Sequence, residues 1–253
     1  MIDIHTHIIP GIDDGADEMY DTLEMVKLAV KSGTRAIVAT PHCNIPGMYE
    51  NYFGKYYVEQ FKKVTDSVKK LGLPVEIYPG MEAFGTEELP DLIVGGKIMP
   101  LNQSRYVLVE FPFDTEPEYV FYLLKRMKEI GAIPVVAHPE RYEFVQDNPH
   151  VAYEWQKRGY GVQVNKGSFE GKFGNLPRRT AYQMLSHNLI SVVASDAHGH
   201  ERRTPYMKDI YEELVEERGQ GYMDLIFRQN PLRICTNKPL ERMEPIPFSR
   251  YEL

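Results

Sequence analysis

Short runs rich in valine and isoleucine alternate with helix-like runs along the whole chain, and this alternation limits its folding more than any other feature. The strand-like runs lie at 2–5, 36–40, 75–79, 106–110, 133–137, 161–165 and 191–194. Their near-continuous apolar character is that of parallel strands buried on both faces. Between them, Tyr57, Phe61, Val64, Val68 and Leu71 recur at three- and four-residue steps, which predicts one helix face, with Gly72 as its stop. Leu23, Val26 and Val30 do the same before Gly33, and Leu123, Leu124, Met127 and Ile130 before Gly131. Seven such units without a break in composition predict an α/β fold. The expectation is one closed or nearly closed barrel of parallel strands spanning 1–253. In such barrels the C-terminal strand ends build the active site. The tail over 237–253, with Pro239, Pro245 and Pro247, is expected to wrap the surface or move.

Composition narrows the function. The chain is 43% hydrophobic and 26% charged, as a globular protein with ample core is. No run of about 18 apolar residues appears, so no membrane insertion is expected. With the first strand expected from residue 2, no signal peptide is expected. A net charge of -7 argues against nucleic acid as a general partner. Cys43 and Cys235 form no CxxC pair, and free thiols in a reducing cytoplasm are expected.

The strand ends carry the chemistry. The first gives His5 and His7, whose i, i+2 spacing turns both side chains to one side. Asp13-Asp14-Gly15 follows in the next loop. The second strand gives Thr40-Pro41-His42, the third Gly80-Met81-Glu82 and the fourth Glu110. The fifth gives His138-Pro139-Glu140-Arg141, and the seventh Ser195-Asp196-Ala197-His198. The sixth, ending Gln163-Val164-Asn165, offers no obvious ligand. Taken singly, each has a plainer reading. Glu110 could be an ordinary strand-end carboxylate, His42 a loop histidine, Asp13 and Asp14 turn or capping residues, and Asp196 a helix cap. Their conjunction decides. Five histidines and four carboxylates converge on one barrel mouth, and buried charges persist only when paired or metal-bound. A multinuclear metal site is the economical account. His150 and His187 are expected on the surface, and His200 beside the site or in solvent.

At these residues the chain resembles the polymerase-and-histidinol-phosphatase (PHP) superfamily. The matching motifs are His5-Thr6-His7 with its downstream Asp, Thr40-Pro41-His42, Glu82, Ala137 through Arg141, and Ser195 through His198. Ile9 through Gly15, Val109-Glu110-Phe111-Pro112-Phe113 and the stretch from Ser195 to Arg203 resemble a narrower group. That group is the manganese-dependent protein tyrosine phosphatases of Gram-positive capsule and exopolysaccharide operons, the CpsB/YwqE type. The resemblance implies a distorted (β/α)7 barrel and three divalent metal ions, manganese first, with iron or zinc as alternatives. By position, one ion would take His5, His7, Glu82 and Asp196. A second would take His42 and His138 with Glu82 bridging, and a third Asp14, Glu110 and His198. Arg141 and Arg203 match substrate-binding arginines, with Arg202 the alternative to Arg203. The implied partner is the phosphotyrosine-bearing tail of a membrane-associated tyrosine autokinase.

The residues suit that chemistry. Divalent ions neutralise phosphoryl charge and lower the pKa of bound water, and mixed imidazole and carboxylate donors favour Mn, Fe or Zn over Ca. Four ligand carboxylates against three ions leave roughly +2, and the two arginines raise this to about +4, so an acidic chain can hold an anion-attracting pocket. A thiol route would need an arginine six residues after its cysteine, but Tyr49 and Glu241 stand there. Tyr49 and Tyr52 could cradle a ring, dock a partner or pack on the next helix. Two other readings remain: a small-molecule phosphatase such as a histidinol phosphatase, and a non-catalytic metal-binding module.

Overall fold

The computed structural model of the chain describes residues 1–248; the end of the expected tail, 249–253, lies outside the described residues. β1 (Ile2–Thr6) leads through α1 (Met19–Lys31) to β2 (Ala36–Ala39) and β3 (His42–Cys43). α2 (Lys55–Lys70) precedes β4 (Glu76–Pro79) and β5 (Glu82–Phe84). α3 (Leu89–Val94), β6 (Tyr106–Glu110), α4 (Pro117–Glu129) and β7 (Ile133–Ala137) follow. Then come α5 (Glu143–Asp147), α6 (His150–Lys157), β8 (Gly161–Asn165), α7 (Lys166–Phe169), α8 (Asn175–Ser186) and β9 (Val192–Ala194). α9 (Lys208–Arg218), α10 (Gln220–Asp224), a π-helical turn at Leu225–Gln229 and α11 (Asn230–Cys235) complete the order.

The paired strands are parallel, in the orders β1-β2-β4 and β3-β5-β6-β7-β8-β9. Two expected strands do not stop where the apolar runs stop. β2 resumes as β3 after Thr40-Pro41, and β4 resumes as β5 after Gly80-Met81. Pro41 has no N–H to give the ladder, and glycine weakens a strand interior. His42 and Glu82 therefore sit opposite each other inside short paired strands rather than in loops. Counting each interrupted pair as one stave gives the seven expected. A parallel bridge of Thr6 with Ala197 joins the first stave to the segment after the last. The His7 N–H donates to the Ala197 carbonyl at 2.9 Å, and the Asp196 N–H to that of His5 at 2.9 Å.

Alternation sorts the core. Ile4, Val38, Leu108, Val135, Ala137, Val192 and Ala194 pack with Leu101, Ile234 and Cys235 in one cluster. Their strand neighbours Ile37, Val107, Val109, Val136, Val164 and Val193 pack against helix residues such as Val26, Val64 and Leu123. Each fully buried apolar side chain contributes about 1.5–3 kcal/mol. The helix stripes end sooner than their periodicity predicts: Leu71 and Ile130, both at helix C-caps, are exposed. In α1 the buried face is Thr22, Met25, Val26 and Ala29, with Leu23 and Val30 at its margin.

The described part of the tail wraps the surface. The Asn188 side chain donates to the Glu244 carbonyl at 2.9 Å, and the Ile246 N–H to that of His187 at 3.0 Å. This corrects one expectation. His187 ends α8 but is buried, because its ring stacks on Phe248 at 3.7 Å and its Nδ1 hydrogen-bonds the Ile246 carbonyl. His150 lies half-buried at the surface at the start of α6, where a surface position was expected. Among the described residues no helix is long and apolar enough to cross a membrane.

Candidate metal centre

β1 carries His5 and the residue just past its end is His7, both fully buried, with their Nε2 atoms 3.2 Å apart. The loop after it fixes the second ring. His7 Nδ1 lies 2.7 Å from Asp13 Oδ2, so an Nδ1–H donates there and Nε2 faces the site. Asp13 also accepts from the backbone N–H groups of His42, at 2.9 Å, and Gly15, at 3.0 Å. It is thereby occupied as an orienting group, while half-exposed Asp14 reaches the histidines. Gly15 permits this turn: a Cβ there would lie 2.2 Å from the His7 carbonyl oxygen.

Three groups of donors result. His5 and His7 Nε2 lie 3.1 and 3.3 Å from Glu82 Oε2, and 3.4 and 3.6 Å from Asp196 Oδ1. This is the first expected grouping. In the second, His42 Nδ1 stands 3.1 Å from Glu82 Oε2 and His138 Nε2 3.0 Å from Glu82 Oε1. The third grouping differs from expectation. Glu110 Oε1 sits 2.8 Å from His42 Nδ1 and belongs with the second group. Asp14 Oδ1 instead lies 3.3 Å from His42 Nε2 and 3.4 Å from His198 Nε2, with His7 close by. The reason is that β3 continues past Pro41 and places His42 between the two groups.

The donors fit metal ions better than they fit one another. His42 Nδ1, Glu82 Oε2 and Glu110 Oε1 are buried without a hydrogen-bond partner despite their proximity. Burial opposes charge on Glu82, but His5 and His42 outweigh it and hold the carboxyl well below its usual range. The same contest, with His5, His7 and Arg203 as partners, lowers Asp196. Burial and the charge of His7 push His198 down to about 4. Glu82 and Asp196 are therefore ionised and His198 neutral at pH 7, as ligands must be. His138 and Asp196 also hold left-handed backbone, at φ 34° and 48°. Such conformations cost about 1–3 kcal/mol and cluster at functional sites.

Both expected arginines reach the rim. Arg203 Nη2 donates to Asp196 Oδ2 at 2.7 Å, and Arg141 Nη1 lies 3.8 Å from the same oxygen. Arg202 is exposed, and Arg203 is the one of the pair that hydrogen-bonds Asp196. The Arg141 guanidinium lies between Phe113, at 4.2 Å, and Phe173, at 4.4 Å, and Arg203 stands 5.7 Å from Phe173. A cleft of about 420 Å³ continues from this sandwich past Glu143 and Leu176. On the other flank Tyr49 stacks on His42, rings 5.8 Å apart, while Tyr52 is tied to Asn44 Oδ1 at 3.0 Å. His200 pairs with Asp21 at 3.2 Å, beside the centre.

Sequence reasoning placed β8 but gave its polar side chains no role. Gln163 Oε1 lies 2.8 Å from His5 Nδ1, Gln163 Nε2 2.8 Å from Asn165 Oδ1, and Asn165 Nδ2 2.5 Å from Asp196 Oδ2. The signal was available: Gln163 and Asn165 share one strand face, as His5 and His7 share theirs. Glu140, also passed over, is buried and accepts from Ser168 at 2.6 Å and the Asn165 N–H at 3.0 Å.

Comparison with known proteins bears on all of this. Residues 1–236 match the family described as "Capsular polysaccharide synthesis, CpsB/CapC". The tyrosine-protein phosphatase YwqE of Bacillus subtilis is 34% identical, over 100% of this chain and 98% of that protein. The tyrosine-protein phosphatase CpsB of Streptococcus pneumoniae is 31% identical, over 94% of this chain and 99% of that protein. A solved structure from work on YwqE and CpsB as metal-dependent tyrosine phosphatases has a TM-score of 0.91 at 34% identity, covering 99% of this chain and 100% of that one. A Listeria monocytogenes lactonase at 13% identity, with a TM-score of 0.63 over 94% of each chain, shares the barrel fold alone. This chain belongs to the CpsB/CapC capsular polysaccharide synthesis family, the metal-dependent tyrosine phosphatases of the YwqE/CpsB type.

Proposed function

We propose that the chain removes phosphate from phosphotyrosine on the tail of a membrane-associated tyrosine autokinase that controls capsule or exopolysaccharide assembly. The family description and the relatives' names support this reading. The observation that carries it is the placement of Arg141 and Arg203 on one edge of the donor cluster, both toward Asp196. His5, His7, Glu82 and Asp196 would hold one divalent ion. Glu82, Glu110 and His138 would surround a second position and Asp14 and His198 a third, with neutral His42 serving one of the two through its single lone pair. Manganese suits these mixed donors. Bound there, the ions would supply charge neutralisation and a lowered water pKa.

The chain's own residues do the rest. Arg141 and Arg203 grip phosphoryl oxygens and stabilise charge on them as the ester bond breaks. Phe113 and Phe173 pin the Arg141 guanidinium by cation–π contact, worth about 0.5–2 kcal/mol. Phe113, 42% exposed, offers an apolar wall to the tyrosyl ring. The cleft beyond accommodates the peptide on one side of the phosphotyrosine. Buried free Cys43 and Cys235 agree with a cytoplasmic site of action. The test is to incubate the Mn-loaded chain with phosphorylated autokinase tail and follow phosphotyrosine. Loss of phosphate that an Arg203→Ala variant cannot produce supports the reading; a tail left intact by the active enzyme refutes the partner.

A further inference from the structure

β8 carries no metal-ligand type, yet its two buried amides join two donors that would share one ion. The bond directions follow from chemistry alone. An ionised carboxylate only accepts hydrogen bonds. Asp196 Oδ2 therefore obliges Asn165 to present its NH2 group, at 2.5 Å. The Asn165 oxygen is then the end turned to Gln163, and it obliges Gln163 to present its own NH2, at 2.8 Å. The Gln163 oxygen is left for His5 Nδ1, at 2.8 Å, which must carry the proton. His5 Nε2 is thus the ring nitrogen that faces His7, Glu82 and Asp196 and is left to bind an ion. All four residues are at most 2% exposed, so water does not offer a competing partner. Glu140 fixes the strand by accepting the Asn165 backbone N–H. Asp196 divides its labour: Oδ2 serves Asn165 and Arg203, and Oδ1 faces the imidazoles.

We infer that Gln163 and Asn165 form an amide relay that fixes the His5 tautomer and the Asp196 rotamer together, so that the two ligands are set for one divalent cation as a unit. They are positioning residues, and the inference rests on the metal-centre part of the function proposed above. Partners of this kind typically govern affinity by about 10–100-fold.

The experiment is calorimetric titration of the metal-stripped full chain with Mn2+, with melting of the metal-stripped protein as control. Gln163→Met keeps length and removes both hydrogen bonds. It should weaken Mn2+ binding by roughly 10–100-fold, beyond any effect explained by melting. Gln163→Glu keeps an acceptor for His5 but cannot donate to Asn165, so it should fall between the two. Because the relay acts as a unit, Asn165→Leu added to Gln163→Met should cost less than the product of the single effects. A separate reading uses the unmutated chain loaded with diamagnetic Zn2+: nitrogen NMR should show His5 carrying its proton on Nδ1. Unchanged Mn2+ affinity in Gln163→Met, or His5 protonated on Nε2, would overturn the relay while leaving the metal centre intact. An unmutated chain that binds no Mn2+ would sink both.

Discussion

The Nε2 atoms of His5 and His7 stand 3.2 Å apart, and both side chains are fully buried. Burial opposes charge on both rings, but Glu82 and Asp196 beside His5 and Asp13 beside His7 outweigh it and raise their pKa values, so in the metal-free chain the rings hold protons where a cation would sit. A shared cation replaces those protons, and Glu82 and Asp196 complete its donors. Replacing His5 or Asp196 by alanine should therefore lower metal content and reduce turnover by at least about 100-fold. Elemental analysis beside a phosphatase assay measures both. Full activity in a chelated preparation shown to be metal-free would refute this account.

Metal binding should release protons. In the metal-free chain burial opposes charge on His42, but Glu82, Asp14 and Glu110 outweigh it and raise its pKa far above the usual imidazole value. His42 is then protonated at neutral pH and must lose its proton to become a ligand. Apparent Mn2+ affinity should rise with pH across the neutral range, with proton uptake on chelation. A pH-independent affinity in weakly buffered titrations would contradict the assignment of His42.

His198 works in the opposite sense. With its pKa pushed down to about 4, the folded metal-free chain binds fewer protons than the unfolded chain between that value and about 6.5. Its contribution is present above about 6.5 and is lost as pH falls through about 4. Replacing His198 by glutamine should flatten the decline in metal-free stability over that window. Denaturant melts at stepped pH will show whether it does.

Gly15→Ala should be far more damaging than an ordinary loop substitution. The added methyl meets the His7 carbonyl and Cβ, so the loop carrying Asp13 and Asp14 must move. The His7 Nδ1–H then loses its carboxylate, and a weaker metal site is expected with little change in overall fold. Wild-type Mn2+ affinity in this variant would show that the loop is not needed there.

Much of this was legible in the residues. Seven strand runs and the histidines and carboxylates at their ends required only periodicity. The grouping around Glu110 was not legible, because it depends on β3 resuming after Pro41 and turning His42 between two sets of donors. Burial of His187 was hidden for a similar reason: the residues that cover it come from the tail about 60 positions later. Gln163 and Asn165 escaped because neutral amides are common in cores, and only the pairing of β8 with its neighbours shows which donors they touch.

The thiols should be spectators. Burial pushes both Cys43 and Cys235 up to about 12, and among the described residues neither makes a hydrogen bond or ion pair with the donor cluster. Thiolate is the reactive form, so alkylation at pH 8 should be slow until the chain is unfolded. Cys43→Ser and Cys235→Ser should retain turnover. A cysteine variant as inactive as His5→Ala would return the mechanism to a covalent thiol route.

Arg141→Ala should lower kcat/KM by about 100- to 1,000-fold while metal content stays unchanged, because the guanidinium acts on the developing phosphoryl charge. Loss of metal instead would give Arg141 a structural role through Asp196.

The central claim is that an arginine-rimmed metal centre serves phosphotyrosine, and kcat/KM of the Mn-loaded chain on matched substrates tests it most directly. Phosphotyrosine peptides should be hydrolysed more efficiently than phosphoserine peptides or histidinol phosphate, and activity should vanish on chelation. Preference for histidinol phosphate, or turnover that survives removal of the metal, would contradict the account.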